Sequence, residues 1–245
     1  MYAIILAAGL GARLKKMHKK PKVLLEFNNR TLLERHIKNL QHEQIKKIFV
    51  VVGYQSQAII EEIKNYASHN IEIVFNDDYR SGSILSVFCA LKKISPKEDL
   101  LLMDGDVLYD KNILERLISN SNSSLVFDSN FDDGDEPVKV CIKDNLIKDF
   151  GKGKFPKEKF STIGESVGFF KIKYIDTVRF RHVCEKMILN RELERPHEDA
   201  FRKIIHDQIF YIEPIDVTGL LWTEIDFPED IEKAQQIIPK LKEGQ

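Results

Sequence analysis

Cysteine is scarce in this chain: of 245 residues only Cys89, Cys141 and Cys184 are cysteines. The number is odd, the spacings are wide and the neighbours are apolar, which argues against a disulfide framework and against a paired-cysteine metal or redox motif. Reduced, buried thiols in a cytosolic protein are the expectation. Glycine and proline are also few, 12 and 8, so no linker, repeat or low-complexity segment divides the chain. Neither sign of charge dominates: 37 basic against 38 acidic residues leave a net charge of −1. A general nucleic-acid or membrane surface is therefore not expected. No apolar run approaches the roughly 20 residues of a membrane span. The N-terminal apolar run has no basic region before it and is too short for a signal peptide. Nor do the residues offer a Ser/His/Asp or Cys/His set for covalent catalysis. What remains is a cytoplasmic protein whose 43% hydrophobic content is ample for a core.

Positive charge is instead concentrated near the front. Ile4-Ile5-Leu6-Ala7-Ala8 reads as a buried strand, followed by Gly9-Leu10-Gly11-Ala12-Arg13 and then Pro21-Lys22. Glycines directly after a buried strand let the backbone take φ > 0 and bring N–H groups close to an anion. The loop carries Arg13, Lys15, Lys16, His18, Lys19, Lys20 and Lys22, which suits a polyanion such as a nucleoside triphosphate. It lacks the third glycine of a dinucleotide fold and the Gly-Lys-Ser/Thr of a P-loop.

The pattern that follows is regular. Thr31-Leu32-Leu33-Glu34 has the form of a capping box and opens a helix with Leu32, Leu33, Ile37 and Leu40 on one face. Ile48–Val52 is a buried strand ending at Gly53, and a helix with Ile59, Ile60 and Ile63 inward follows. A strand from Ile71 to Phe75 runs into the polar turn Asn76-Asp77-Asp78-Tyr79-Arg80-Ser81-Gly82-Ser83, and a helix with Ile84, Leu85, Phe88 and Leu91 inward comes next. Uniformly apolar strands alternating with helices predict a parallel sheet covered on both faces. Leu100–Met103 then delivers Asp104-Gly105-Asp106 to a strand's carboxyl end, the place where such sheets bind ligands. From Ser123 the texture becomes β-rich, at 124–128, 138–142 and 167–172, before helices near 174–190 and 198–208 and a closing Trp222-Thr223-Glu224-Ile225-Asp226-Phe227-Pro228-Glu229-Asp230.

Leu6-Ala7-Ala8-Gly9-Leu10-Gly11-Ala12-Arg13 with Pro21-Lys22 resembles the L-A-A-G-x-G-x-R…P-K loop of the nucleotidyltransferase superfamily, and the segment from Trp222 to Asp230 is similar to its W-x-E-I-D-x-x-E-D ending. The resemblance implies an α/β fold: a three-layer, doubly wound, mostly parallel mixed sheet with a β-rich acceptor-binding half. One domain over 1–245 is expected, with a nucleotide-binding half at 1–122 and an acceptor-binding half at 123–245. It further implies nucleotide contacts from Leu6, Ala7, Ala8, Gly9, Gly11, Ala12, Arg13, Lys22, Gly53, Asn76, Gly82, Ser83 and Asp104, with Arg13 and Lys22 also catalytic. Asp106 and Asp226 would be ligands of Mg²⁺, whose preference for hard oxygens suits carboxylates and phosphates; Glu224 reads rather as a strand-face carboxylate. Lys139, Glu165, Glu198 and Asp199 are the acceptor-side candidates. Size and ending look most like the phosphocholine, phosphonate and inositol-phosphate cytidylyltransferase-type enzymes, with no room for the β-helix domain of larger relatives. That implies CTP and a small phosphorylated alcohol or phosphonate as partners, no nucleic acid or membrane, and a possible homodimer. Uridylyl, thymidylyl or guanylyl transfer to a sugar-1-phosphate, and a non-catalytic nucleotide-binding subunit, are the alternatives.

Overall fold

The computed structural model describes residues 1–14, 20–41, 44–66 and 70–242. In chain order these form β1 (Tyr2–Ala7), β2 (Glu26–Phe27), β3 (Arg30–Thr31), α1 (Leu32–Asn39), β4 (Lys47–Val52), α2 (Ser56–Lys64), β5 (Ile71–Phe75), α3 (Ser83–Lys93), β6 (Leu100–Asp104), β7 (Val107–Tyr109) and α4 (Lys111–Ser119). The second half contributes β8 (Ser124–Asp128), β9 (Lys139–Lys143), β10 (Leu146–Gly151), β11 (Thr162–Ile172), α5 (Tyr174–Leu189), α6 (Glu198–His206), β12 (Glu213–Asp216), β13 (Trp222–Glu224) and α7 (Pro228–Ile237).

The main sheet runs β10-β9-β11-β6-β1-β4-β5, with β8 attached to β11 and β12 attached to β8. Its N-terminal portion, β6-β1-β4-β5, is wholly parallel; β11 joins antiparallel to β6, β8 and β9. Alternate residues of each inner strand point into different apolar layers. Ile4, Phe49, Val51, Leu100 and Leu102 pack with α3, α5 and α6, whereas Ala3, Ile5, Val50, Val52, Leu101 and Met103 pack with α1, α2 and α4. Three layers follow directly, because a strand buried on both faces has no polar side to spare.

The strand order changes direction at β1: β4 and β5 lie on one side of it and β6 on the other. The loops after β1 and β6 must therefore splay apart and leave a crevice at their carboxyl ends. A smaller apolar cluster, Leu14, Leu25, Phe27, Leu32, Leu108, Ile225 and Ala234, docks α7 and the β2–β3 hairpin beside that crevice. Thr31 caps α1 as its position in the sequence predicts, its hydroxyl accepting the Glu34 N–H at 3.0 Å. No cysteine is disulfide-bonded, and burial pushes the Cys141 thiol up to about 12, so it is inert as a nucleophile. No helix among the described residues is long and apolar enough to cross a membrane.

Candidate active site

A cleft of about 370 Å³ opens where β1 and β6 end. Leu6, Ala7, Ala8, Gly9 and Gly11 form one wall, Tyr79 to Ser83 and Ser86 the other, and Asp104, Gly105, Asp106 and Lys22 the floor and one end. Register explains the juxtaposition, since Leu6 pairs with Asp104 across the sheet, and Gly105 donates its N–H to the Leu6 carbonyl at 3.0 Å. Of the two loop glycines only Gly11 uses left-handed backbone, at φ +56°; a Cβ there would stand 3.0 Å from the Lys22 stem, whereas one on Gly9 would meet nothing. Gly11 thus lets the lysine lie close, and Gly9 leaves its peptide open to the cleft.

Gly53 packs under Tyr79, and Asn76 is buried behind the wall, donating to the Ser86 hydroxyl at 2.9 Å. Neither lines the cleft; both set the segment that does. Gly82 lines it, but its backbone is also pinned by an N–H donated to the Leu193 carbonyl at 2.7 Å. Ala12 and Arg13 are exposed beyond the cleft's edge. Lys15, Lys16, His18 and Lys19 of the basic loop lie outside the described residues, and Lys20 pairs with Glu26 at 2.9 Å.

The far end of the chain returns to this place through a two-stranded ribbon. β13 pairs antiparallel with β7, Glu224 opposite Val107, and Ile225 donates its N–H to the Asp106 carbonyl at 2.9 Å. The Asp230 carboxylate accepts the N–H groups of Asp226 and Phe227 at 2.8 and 2.6 Å, which fixes how Asp226 enters. Ligand oxygens of Asp106, Glu224 and Asp226 consequently lie within 4.8 Å of one another. Glu224, which the sequence suggests as a strand-face carboxylate, thus stands in one cluster with the two aspartates. Glu224 is exposed as a residue, yet desolvation of its carboxyl within the cluster and the charges of Asp106 and Asp226 push it up from the ordinary range. Enclosure likewise raises Asp104, which Glu198, Asp106, Glu224 and Asp226 surround. Clustered hard oxygens with unbalanced negative charge fit a divalent cation such as Mg²⁺.

A cation already answers that charge. The Lys22 ammonium bonds Asp106 Oδ2 at 3.0 Å and also reaches Asp226 Oδ1. Burial alone would lower its pKa, but the two carboxylates outweigh burial and hold it above the usual lysine range. Arg13 reaches Asp226 Oδ2 at 2.8 Å and Glu136 at 2.9 Å, its guanidinium resting over Phe227.

Beyond the carboxylates lies a second, smaller cleft of about 120 Å³, bounded by Glu136, Lys152, Glu165, Trp222, Glu224, Asp226 and Lys233 among others. Glu165 stands in it, and burial with Asp128, Asp132 and Asp230 nearby pushes its carboxyl up to about 7 against the pull of Lys233. Lys139 does not reach this cleft: it is buried, with its ammonium held by the carbonyls of Gly134 and Gly153. Glu198 turns toward Asp104 and His197, whereas its neighbour Asp199 pairs with Arg195 at 3.5 Å. His197 is a residue that sequence reasoning passed over. It is buried, and its ring meets Ser83 Oγ at 3.0 Å across 114 positions of sequence, a contact with no local signature.

A model of the MobA-like NTP transferase domain matches residues 3–153. The CTP:phosphoglutamine cytidylyltransferase of Campylobacter jejuni is 27% identical over 255 residues, covering 95% of this chain and 98% of that one. A bifunctional IPC transferase and DIPP synthase of Thermococcus kodakarensis is 28% identical over 96% of this chain, which spans 50% of that protein's length. Among solved structures, the inositol-1-phosphate CTP transferase of T. maritima superposes with a TM-score of 0.79 at 21% identity, over 98% of this chain and 96% of that one. The CTP:phosphocholine cytidylyltransferase of Streptococcus pneumoniae gives 0.80 at 22%, over 97% and 98%. At such identities the structural likeness speaks for the fold.

Proposed function

Because this chain belongs to the family of MobA-like NTP transferase domains, we propose that it transfers the nucleotidyl group of CTP to a small phosphorylated alcohol or phosphonate and releases pyrophosphate. One observation carries this reading. Lys22 of the glycine loop and the carboxylates of Asp106 and Asp226 meet at a single point between the two clefts, although they come from distant parts of the sequence. The choice of CTP leans on the cytidylyltransferase relatives.

In such a transfer an acceptor oxygen attacks the α-phosphorus in line, and two anions must approach each other. Cations and positioning supply the catalysis. The amides of the glycine loop and Arg13 would hold the β- and γ-phosphates and stabilise the departing pyrophosphate. Lys22 would lie between the α-phosphate and the acceptor's phosphate, offsetting their repulsion. Tyr79 to Ser83 would face ribose and base, and the cleft around Glu165 and Trp222 would take the acceptor. A phosphate monoester is ionised at neutral pH, so no general base is needed. Asp106, Asp226 and Glu224 would hold Mg²⁺, which when bound supplies charge neutralisation on the phosphate oxygens.

Pyrophosphate release is the direct test, with each of the four common triphosphates, Mg²⁺ and a panel of phosphorylated alcohols, phosphonates and sugar-1-phosphates. Turnover is expected with CTP and an alcohol phosphate or phosphonate; tight nucleotide binding without turnover across the panel would instead identify a binding module. Alanine at Arg13 or Lys22 should lower kcat by about 10²–10³, the scale of losing one oxyanion donor, and alanine at Asp106 by more. A purified Asp106→Ala protein with normal Mg²⁺-dependent turnover would refute the metal assignment.

A further inference from the structure

Every oxygen that faces the centre of the carboxylate site from Asp226 is already bonded to a cation of the protein itself. Oδ1 is taken by the Lys22 ammonium and Oδ2 by the Arg13 guanidinium at 2.8 Å, while Lys22 also holds Asp106 Oδ2 at 3.0 Å. The lysine is built into this position: its side chain is only 16% exposed and Gly11 packs against its stem. Arg13 is more exposed and shared with Glu136. A free divalent ion that takes Asp226 as a ligand would have to displace these cations and leave a largely enclosed ammonium short of a partner, which opposes entry. A triphosphate changes the balance, because its oxygens offer Lys22 and Arg13 new partners at the moment they leave the carboxylates.

We propose that Lys22 and Arg13 are tethered counter-ions that guard the carboxylate site, so that a divalent cation is admitted as the metal–triphosphate chelate and resisted as the free ion. This rests on the reading of Asp106, Glu224 and Asp226 as the metal site. It adds a role for the two cations before chemistry begins, and it makes metal and nucleotide binding mutually reinforcing, because coupling between two ligands is reciprocal.

The experiment measures Mn²⁺ binding in the absence of nucleotide, by the paramagnetic resonance signal of the free ion, on wild type, Lys22→Met, Lys22→Arg and Arg13→Gln, each checked for folding by circular dichroism. An opposite charge at this distance shifts proton affinity by one to three units, so Lys22→Met should bind Mn²⁺ about 10- to 10³-fold more tightly than wild type. Lys22→Arg keeps the charge and should stay near wild type; Arg13→Gln, which frees Asp226 alone, should gain less. Adding a non-hydrolysable CTP analogue should tighten Mn²⁺ binding strongly in wild type and weakly in Lys22→Met. Equal or weaker Mn²⁺ binding in Lys22→Met, with that binding still lost on adding Asp226→Asn, overturns the guarding role and leaves the metal site standing. Mn²⁺ binding that ignores Asp226→Asn in every background, with or without the analogue, overturns both.

Discussion

At the scale of single residues, the site is defined by charges placed where water cannot fully screen them. Lys22 between Asp106 and Asp226 is one case; Glu165 is the opposite one, a carboxylate in the second cleft with acidic neighbours and only Lys233 to oppose them. Its pKa rises from 4.5 to about 7 on folding, so below pH 4.5 the proton is bound in both states and costs nothing. Between those values the unfolded chain releases its proton while the folded one keeps it, and stability falls as pH rises. Glu165→Gln should therefore be more stable than wild type at pH 8 by about 1–2 kcal/mol, allowing for screening of a half-buried group, and indistinguishable at pH 4. Urea melts at the two pH values decide it: an equal shift at both would mean packing, not ionisation, and the idea would be dropped. If the acceptor occupies this cleft, the same substitution should raise the acceptor KM more than it lowers kcat.

At the scale of elements, helix α1 shows how the scaffold supports the chemistry. His36 is fully buried in it, against Tyr109 and Phe169, and lies beneath the turn that carries Asp106. Burial lowers its pKa from 6.5 to about 4, with the backbone of Gly105 and Val107 pulling weakly the other way. The unfolded chain takes up that proton first as pH falls, so this contribution to stability is complete above pH 6.5 and is lost by up to about 3 kcal/mol on the way to pH 4. A His36→Leu variant should show a stability curve flatter by that amount across this window. Parallel curves for variant and wild type would remove His36 from the account of acid sensitivity. Such elements were legible in the sequence because their causes are local: apolar strands too uniform to have a wet face, Thr31 three residues before Glu34, two glycines and Pro21-Lys22 at fixed distances. The ribbon of β7 with β13 was not legible, since pairing between residues near 108 and 223 leaves no trace in either segment. For the same reason His197 was given no role, and Lys139 read as an acceptor-side residue although its ammonium is held by the carbonyls of two loops.

At the scale of the molecule, the first strand and the last structured turn before α7 converge on one cluster of charges, so ligand binding there must act on the whole fold. Asp106 follows β6, Lys22 follows β1, and Asp226 arrives with β13 and the small apolar cluster under α7. A ligand that joins all three is bound only when all three are folded, and stabilises the native state by RT ln(1 + [L]/Kd), about 2.7 kcal/mol at a hundredfold excess over Kd. For a chain of this length that corresponds to a rise in Tm of about 5–10 °C. We expect CTP with Mg²⁺ to produce a shift of that size in one cooperative transition, CTP with excess chelator a smaller one, and Mg²⁺ alone almost none. Asp226→Asn should lose the metal-dependent part while keeping the part due to nucleotide alone. Differential scanning calorimetry reads all four conditions. Splitting into two transitions, with CTP and Mg²⁺ moving only the one that belongs to β1, β4, β5 and β6, would show that the C-terminal ribbon does not close over the nucleotide, and Asp226 could then no longer be placed on the same ion as Asp106.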